Sequence, residues 1–441
     1  MELTSRLMIM AASSSAGPAS GYWFATLGAA ASEEGIGVRV GSDDSLYLNA
    51  RSNSGFMYAV KYDPDGTLSW QRVLTLAAQP NTGRLAIDSS DNVYFIYTDT
   101  STSASSWFAA GYNSSGGLLW QKQLNANNRG TFSGNSSVCY GLDVYMSAAR
   151  ISQLGELAGG NATSSLLKLT ASTGAVVWAN NTFNKDNYNY ALTADTSGSL
   201  YMAHEVDQDA TTNISQLAVS KFTTSGSRLW SSSVRGAAYS AAGYTFYYSS
   251  RASDIAVDSS GNIYAVGSLQ NASTTTPAIY KYNSSGTLQW AKILGTASGS
   301  FNGVTIDSSN NVYACGSIGS LAVIASYDGS GNINWQRTFN GGVSEAFQSA
   351  AIDSNGDLCL VGNTASDGQG SSDIFIVKIP SDGSLTGTYG NFTYATSSYT
   401  NGTGTVSAYS PSITTYSQSV TVTNSSFAEA AGGLVSESTD L

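Results

Sequence analysis

Between residues 254 and 294 the chain alternates short apolar runs with polar turns: DIAVDSSGNIYAVGS, a variable stretch, then AIYKYNSSGTLQWAKIL. Runs of β-branched, aromatic and aliphatic residues bounded by Asp, Asn, Ser and Gly are the pattern of short strands joined by tight turns. The stretch predicts four strands, at 255–257, 263–267, 278–282 and 288–294. The turn Asp258-Ser259-Ser260-Gly261-Asn262 joins the first two, and Asn283-Ser284-Ser285-Gly286 joins the last two.

The pattern recurs along the chain. Its second-strand aromatic returns as Tyr47, Tyr94, Tyr145, Tyr201, Tyr264 and Tyr313, with Cys359 in the seventh place. Its fourth-strand tryptophan returns as Trp70, Trp120, Trp178, Trp230, Trp290 and Trp335, with Gly387 in the seventh place. Seven units of four strands, repeating every 45 to 60 residues or so, predict an all-β, seven-bladed β-propeller. The seventh unit (347–387) lacks its fourth strand, while GYWFATLG (21–28) is a fourth-strand sequence with no unit before it. The expectation is ring closure, with the strand around Trp23 completing the last blade. The third unit has lost its first turn, Tyr140-Gly141-Leu142-Asp143 standing in its place.

Three domains follow: a docking arm (1–20), the propeller (21–387) and a β-rich C-terminal extension (388–441). In the arm, Leu3, Leu7 and Met10, or Met8 with Ala11 and Ala12, suggest the apolar face of a short helix, which needs a partner to be stable. The faint signal-peptide character of this segment is read as a retained, ordered arm. The extension contains no Lys or Arg, and its patches Phe392/Tyr394, Val406/Tyr409 and Val420/Val422 read as short strands. It is expected to form a small appendage or to pair with a neighbouring chain.

Composition adds exclusions. A net charge of −11 argues against nucleic-acid binding, which needs clustered Lys and Arg. No run of 18 apolar residues is present, so no membrane span is expected. Cys139, Cys315 and Cys359 are odd in number and far apart, which gives no disulfide framework or zinc site. Cys315 and Cys359 are expected to be buried small hydrophobes. The turns at Asp353 and Asp63 look slightly like calcium loops but lack the closing Glu, so turn capping is the expected role. His204 is the chain's one histidine and is expected in a surface loop. No catalytic residue, cofactor or metal is assigned. The repeated tryptophans are expected to pack between blades.

Variable loops at 99–107, 151–163, 204–215 and 236–251 are expected on the ring faces, where function concentrates. Candidates for partner contact are Leu7 and Ile9 in the arm, the off-pattern aromatics Trp107, Tyr244, Phe246 and Tyr247 in loops, and Phe392 and Tyr394 in the extension.

Units such as AVDSSGNIYAVGS and KYNSSGTLQWAKIL resemble the bacterial seven-bladed SBBP-type propeller repeat, and LTASTGAVVW (169–178) looks like the tryptophan-docking motif of quinoprotein-like repeats. The quinone enzymes use a vicinal cysteine pair, and no adjacent cysteines occur here. The layout also resembles virion proteins of marine tailed phages, with a start like SRLMIMAAS, a Trp-bearing strand, propeller repeats and a Ser/Thr/Tyr-rich tail. That resemblance implies a non-enzymatic virion structural protein of tail, fibre or capsid. It would dock other virion proteins through 1–20 and 388–441 in a homo- or hetero-oligomeric assembly, and offer its loops to host glycans or a receptor. The alternative is a secreted or periplasmic propeller acting as scaffold or carbohydrate-binding module. A third reading, a hydrolase or lyase with a carboxylate pair in the propeller funnel, would show as acidic side chains converging near the axis.

Overall fold

The computed structural model describes the chain apart from residues 1–3, 10–20, 77–79, 100–105, 127–131, 152–161, 184–188, 207–215, 237, 242–243, 248, 272–273, 369–370, 410–413, 418–419, 425–428, 432–434 and 438–441. Side chains are described over a smaller set, which omits 1–20, 237–248 and 409–441 among others. Among the described residues there is no helix, and seven four-stranded antiparallel sheets follow one another around a ring. Blade five shows the plan, with strands Ser250–Val257, Ile263–Gln270, Thr275–Tyr282 and Leu288–Leu294 running from the axis to the rim. The fourth strand coincides with the sequence expectation. The first three are longer, because ladder pairing carries on through the polar residues at the blade ends.

The repeated turn residues have a shared chemistry. In blade six, the Asp307 Oδ1 carboxylate oxygen accepts the Ser309 and Asn311 amides at 2.9 and 2.8 Å. Its Oδ2 accepts the Tyr313 hydroxyl at 2.9 Å. Asp88, Asp195 and Asp258 repeat the arrangement with Tyr94, Tyr201 and Tyr264. The aspartate thus satisfies backbone donors in the turn and fastens the turn to the second strand. Burial, with Asp307 adding to it, pushes the Tyr313 hydroxyl up to about 12. In blade seven Cys359 replaces the tyrosine, and Lys378 reaches Asp353 directly at 2.8 Å. Asp353 accepts the Asn355 and Asp357 amides of its own turn, which is the capping role expected from the sequence.

The tryptophans join blade to blade. Each indole rests on the following blade's third-to-fourth-strand turn. Trp70 Nε1 donates to Ser114 O at 3.0 Å, Trp120 to Ala171 O at 2.6 Å, Trp290 to Gly329 O at 3.2 Å and Trp335 to Ser381 O at 3.0 Å. A glycine is required where the turn meets the ring. At Gly286, φ is +83° and a Cβ would lie 2.7 Å from Trp230. Three further links lie on the same ring face. Ser354 bonds through its amide and hydroxyl to Asp44, Ser42 to Asp91, and Ser259 to Asn310. The three acceptors hold φ values of 61°, 59° and 63° in a turn position that is glycine in sister blades. Each accepts that conformation, which Asp and Asn tolerate best among non-glycine residues, and reaches the preceding blade.

The ring closes as expected. Trp23–Gly28 pairs antiparallel with Asp373–Ile379 as the fourth strand of blade seven. Trp23 docks on blade one through Nε1 to Pro64 O at 3.1 Å and stacks on Tyr62.

The terminal segments depart from expectation. Thr4–Ile9 is a strand, not a helix, and extends blade seven beyond Trp23–Gly28. The alternating side chains of TSRLMI suit a strand as well as a helix face, and an open sheet edge decides between them. The extension is neither an appendage nor an arm for a neighbour. It runs backward around its own ring and adds an antiparallel strand to the rim of each blade in turn. Phe392–Thr396 pairs with blade six, Asn401–Thr403 with blade five and Val406–Tyr409 with blade four. Thr414–Ser417 then pairs with blade three, Val420–Asn424 with blade two and Glu429–Ala431 with blade one. Val435–Glu437 ends the circuit, parallel to Thr4–Ile9 on blade seven. The physical reason is the set of fourth-strand edges, whose unpaired backbone groups accept any extended segment that reaches them. The tail is the segment best placed to do so.

Candidate functional site

The sequence-selected contact residues divide. Trp107 is not in a loop. It lies on the third strand of blade two, Ser106–Tyr112, at 1% exposure within the core. Phe392 and Tyr394 are 0% and 1% exposed. Their rings stack on Phe375 at 4.7 Å and on Phe339 at 4.6 Å. They anchor the belt to its own ring, so none of the three is a partner-contact residue. Leu7 and Ile9 pair through backbone with Ala25 and Trp23, and their side chains lie outside those described. Tyr244, Phe246 and Tyr247 stand on the second strand of a two-stranded hairpin, Ala238–Ala241 with Tyr244–Tyr247, and their side chains also lie outside those described. Residues 4–9 and the extension's strands, expected to dock other proteins, are engaged by their own chain.

His204 corrects another expectation. It lies in the second strand of blade four, Leu200–Val206, at 1% exposure. Its Nε2 is 2.8 Å from the Ser220 hydroxyl. Burial lowers its pKa to about 4, so the imidazole is neutral at physiological pH. Cys315 and Cys359 are buried as expected, and Cys139 is half-buried.

The feature that sequence reading missed is at the axis. Every inner strand carries a one-residue bulge at the same level, the extra residues being Ile36, Gly134, Tyr190, Ser253, Asn302 and Gln348. In blade two the inner strand is split into Asn81–Thr82 and Ala86–Ile87, and Arg84 occupies the bulge. Bulged residues leave backbone groups unpaired. Arg84 uses three of them on the far side of the ring. Its Nη1 donates to Ser253 O at 2.8 Å, and its Nη2 donates to Gln348 O at 2.7 Å and to Asn302 O. Asp254 stands 3.5 Å from Nη1. One guanidinium therefore ties blade two to blades five, six and seven across the axis. A lone Arg between GRL and AIDSS gives no such signal, because its partners are backbone carbonyls more than 160 residues away.

Among the described residues, five of the six exposed large apolar side chains lie on blades two to four, the sixth, Val343, lying between blades six and seven. Leu119, Val177 and Leu229, the residues just before the tryptophans of blades two, three and four, are 40%, 53% and 56% exposed. Leu118 beside Leu119 is 42% exposed, and Leu142, in the shortened turn of blade three, is 85% exposed. The matching positions in blades one, five and six are Ser69, Gln289 and Asn334. Hairpin geometry puts all five apolar residues on the face that carries the first and third turns of each blade. Among the described residues, no group of three or more His, Cys, Asp or Glu side chains could hold a metal ion.

The protein is a seven-bladed β-propeller. No protein-family model matches the chain, and no curated protein matches it. Solved structures with similar architecture include Drosophila Plexin A in complex with Semaphorin 1b, at 9% identity and TM-score 0.43, covering 80% of this chain and 87% of that one. A polysaccharide lyase of family PL25, an ulvan lyase, matches at 8% identity and TM-score 0.45, covering 78% and 94%. Prolyl oligopeptidase B from Galerina marginata matches at 9% identity and TM-score 0.38, covering 78% and 53%.

Proposed function

We propose that the chain is a non-enzymatic structural protein of a phage virion, associated with tail, fibre or capsid, and that it works as an interaction scaffold through the faces of its ring. The observation that carries this reading is the belt. With an intrachain strand of only three to five residues on the rim of every blade, the longer fourth-strand edges are covered and only these short strands remain as outer edges, so contacts fall mainly to the turns and loops of the two faces. A sheet ring whose edges are shortened in this way suits a protein held outside a cell, where long fraying edges invite proteolysis and aggregation. Arg84, tying four blades at the level where a propeller funnel would otherwise be open, also favours a framework over a reaction chamber. The resemblance of the chain's layout to tailed-phage virion proteins supports the particular setting.

The test is location. Antibody raised against the recombinant chain should decorate purified particles in immunogold micrographs, and its peptides should be found by mass spectrometry of gradient-purified virions. Recovery in the soluble periplasmic or culture fraction, with none on particles, would overturn the virion reading and support the secreted or periplasmic scaffold instead.

A further inference from the structure

Among the described residues, Arg39, Arg84 and Asp254 act on one another at the centre of the ring. Asp254 is fully engaged. Its Oδ1 accepts the Ile255 amide at 2.9 Å and faces Arg84, and its Oδ2 accepts the Val304 amide at 2.9 Å. Arg39 lies nearer the turn face, at the end of blade one's inner strand Glu33–Val40. Gly37 is two residues before it and on the same side of that strand. A Cβ on Gly37 would lie 3.0 Å from the Arg84 Cα, so Arg39 projects along the same inter-blade wall, beyond Arg84.

The described contacts leave Arg39 with little to bind. Its Nη1 donates to the carbonyl of Val38 at 2.8 Å. The ion pairs among the described residues are Arg51–Glu34, Lys61–Asp43, Arg84–Asp254, Lys168–Asp143 and Lys378–Asp353, and none includes Arg39. Burial lowers the Arg39 pKa, Asp254 opposes that, and Arg84 and the nearby Cys139 act in opposite directions on it. The side chain stays partly open to solvent. A forked guanidinium beside a second cation, with no ion pair of its own among the described residues, is suited to a ligand carrying paired oxygens.

We propose that the ring axis on the turn-face side of Arg84 is a binding site for a small anionic group, a carboxylate or a phosphate, with Arg39 as its main ligand and Arg84 as its floor. The site is independent of where the protein resides.

The experiment titrates the full chain at low ionic strength with inorganic phosphate and, separately, with acetate, by isothermal calorimetry. Saturable binding at one per chain is expected with at least one of them, and the tighter anion identifies the ligand chemistry. Arg39→Gln should weaken it by about tenfold or more, equivalent to about 1.4 kcal/mol, and Arg39→Lys should restore part of the loss. A second readout needs no variant. Cys139 is the half-buried cysteine, whereas Cys315 and Cys359 are buried, so iodoacetamide should alkylate Cys139 first, and the bound anion should slow that reaction. The proposal is overturned if neither anion gives saturable binding, if Arg39→Gln binds as the parent does, or if alkylation of Cys139 is indifferent to the anion.

Discussion

Arg84 and His204 are the two residues whose burial sets their role. Arg84 is 8% exposed and holds backbone carbonyls of three blades together with the Asp254 charge. Arg84→Ala would strand Asp254 near the axis and leave three bulge carbonyls without a donor. Removing one partner of a buried ion pair costs about 3–5 kcal/mol, and equilibrium denaturation should show a loss of that order. Arg84→Lys keeps the charge but cannot reach three carbonyls with a planar fork, so it should fall between the two. His204 gives a pH signature. Its folded pKa of about 4 lies below the unfolded value of 6.5, so the unfolded chain binds more protons between those values. The stability it contributes is present above about pH 6.5 and is lost as pH falls through the folded value near 4. The full difference is about 3 kcal/mol. His204→Gln should flatten the parent's stability profile over that window, and an equal slope in both proteins would refute the assignment. Neither role is legible in the sequence. A histidine beside Glu205 and a stretch of Asp and Gln reads as a loop, yet Leu200–Val206 pairs on both sides and takes the imidazole inside. Arg84 reads as an ordinary polar interruption, because its partners lie on other blades.

At the scale of elements, the repeat was legible because its signals are local. Asp-x-Ser-x-Asn-x-Tyr is a turn and the strand that fastens to it, and Leu-x-Trp is an outer strand with its docking residue. Each repeats at a nearly fixed interval. The displaced Trp23 strand was legible for the same reason, since it matches a template that the seventh unit lacks. Phe392/Tyr394, Val406/Tyr409 and Val420/Val422 were likewise visible as strand patches, and they fall in strands 392–396, 406–409 and 420–424. What could not be read was the partner of these strands. Strands of three to five residues carry little side-chain information, and their pairing is set by the nearest open edge. The chain is redirected to that edge at Leu385, which holds φ at +62°. There the turn after Asp373–Ile379 finds its own fourth-strand place already taken by Trp23–Gly28, and the chain crosses to blade six instead. Truncation after residue 390 should therefore leave a cooperatively folded ring with bare rims. Its far-ultraviolet circular dichroism should stay β-rich, while light scattering after size exclusion should detect concentration-dependent self-association that the full chain lacks. A truncated chain that remains monomeric at every concentration would mean the rims need no cover.

For the whole molecule, the two ends of the chain make unequal contributions to one closed ring. The belt pairs with each blade through a short ladder. The N-terminal strand instead completes a blade and joins blade seven to blade one, the last interface in the circuit. Trp23 is 1% exposed, stacks on Tyr62 at 5.7 Å and donates to Pro64 O. The same junction carries the Ser354–Asp44 link on the turn face and the Ser32–Ser372 bridge between strands. In an open array of blades, each contact would stabilise only its neighbours. In a closed ring, losing one interface also frees the blades on both sides of it. Trp23→Ala should cost about 3–5 kcal/mol, as large-to-small replacement of a buried aromatic does, and its consequence should spread. Hydrogen exchange should rise in blades seven and one together, in strands such as Leu358–Thr364 and Leu46–Ser52 that do not both touch the indole. Trp290→Ala, at an interface inside the continuous chain, should cost less, because Trp290 is only partly buried and its blades stay joined by the chain itself. Equal losses in the two variants, with exchange confined to the residues around each indole, would show that the seven blades behave as independent neighbours and that closure through Trp23 adds nothing to the ring.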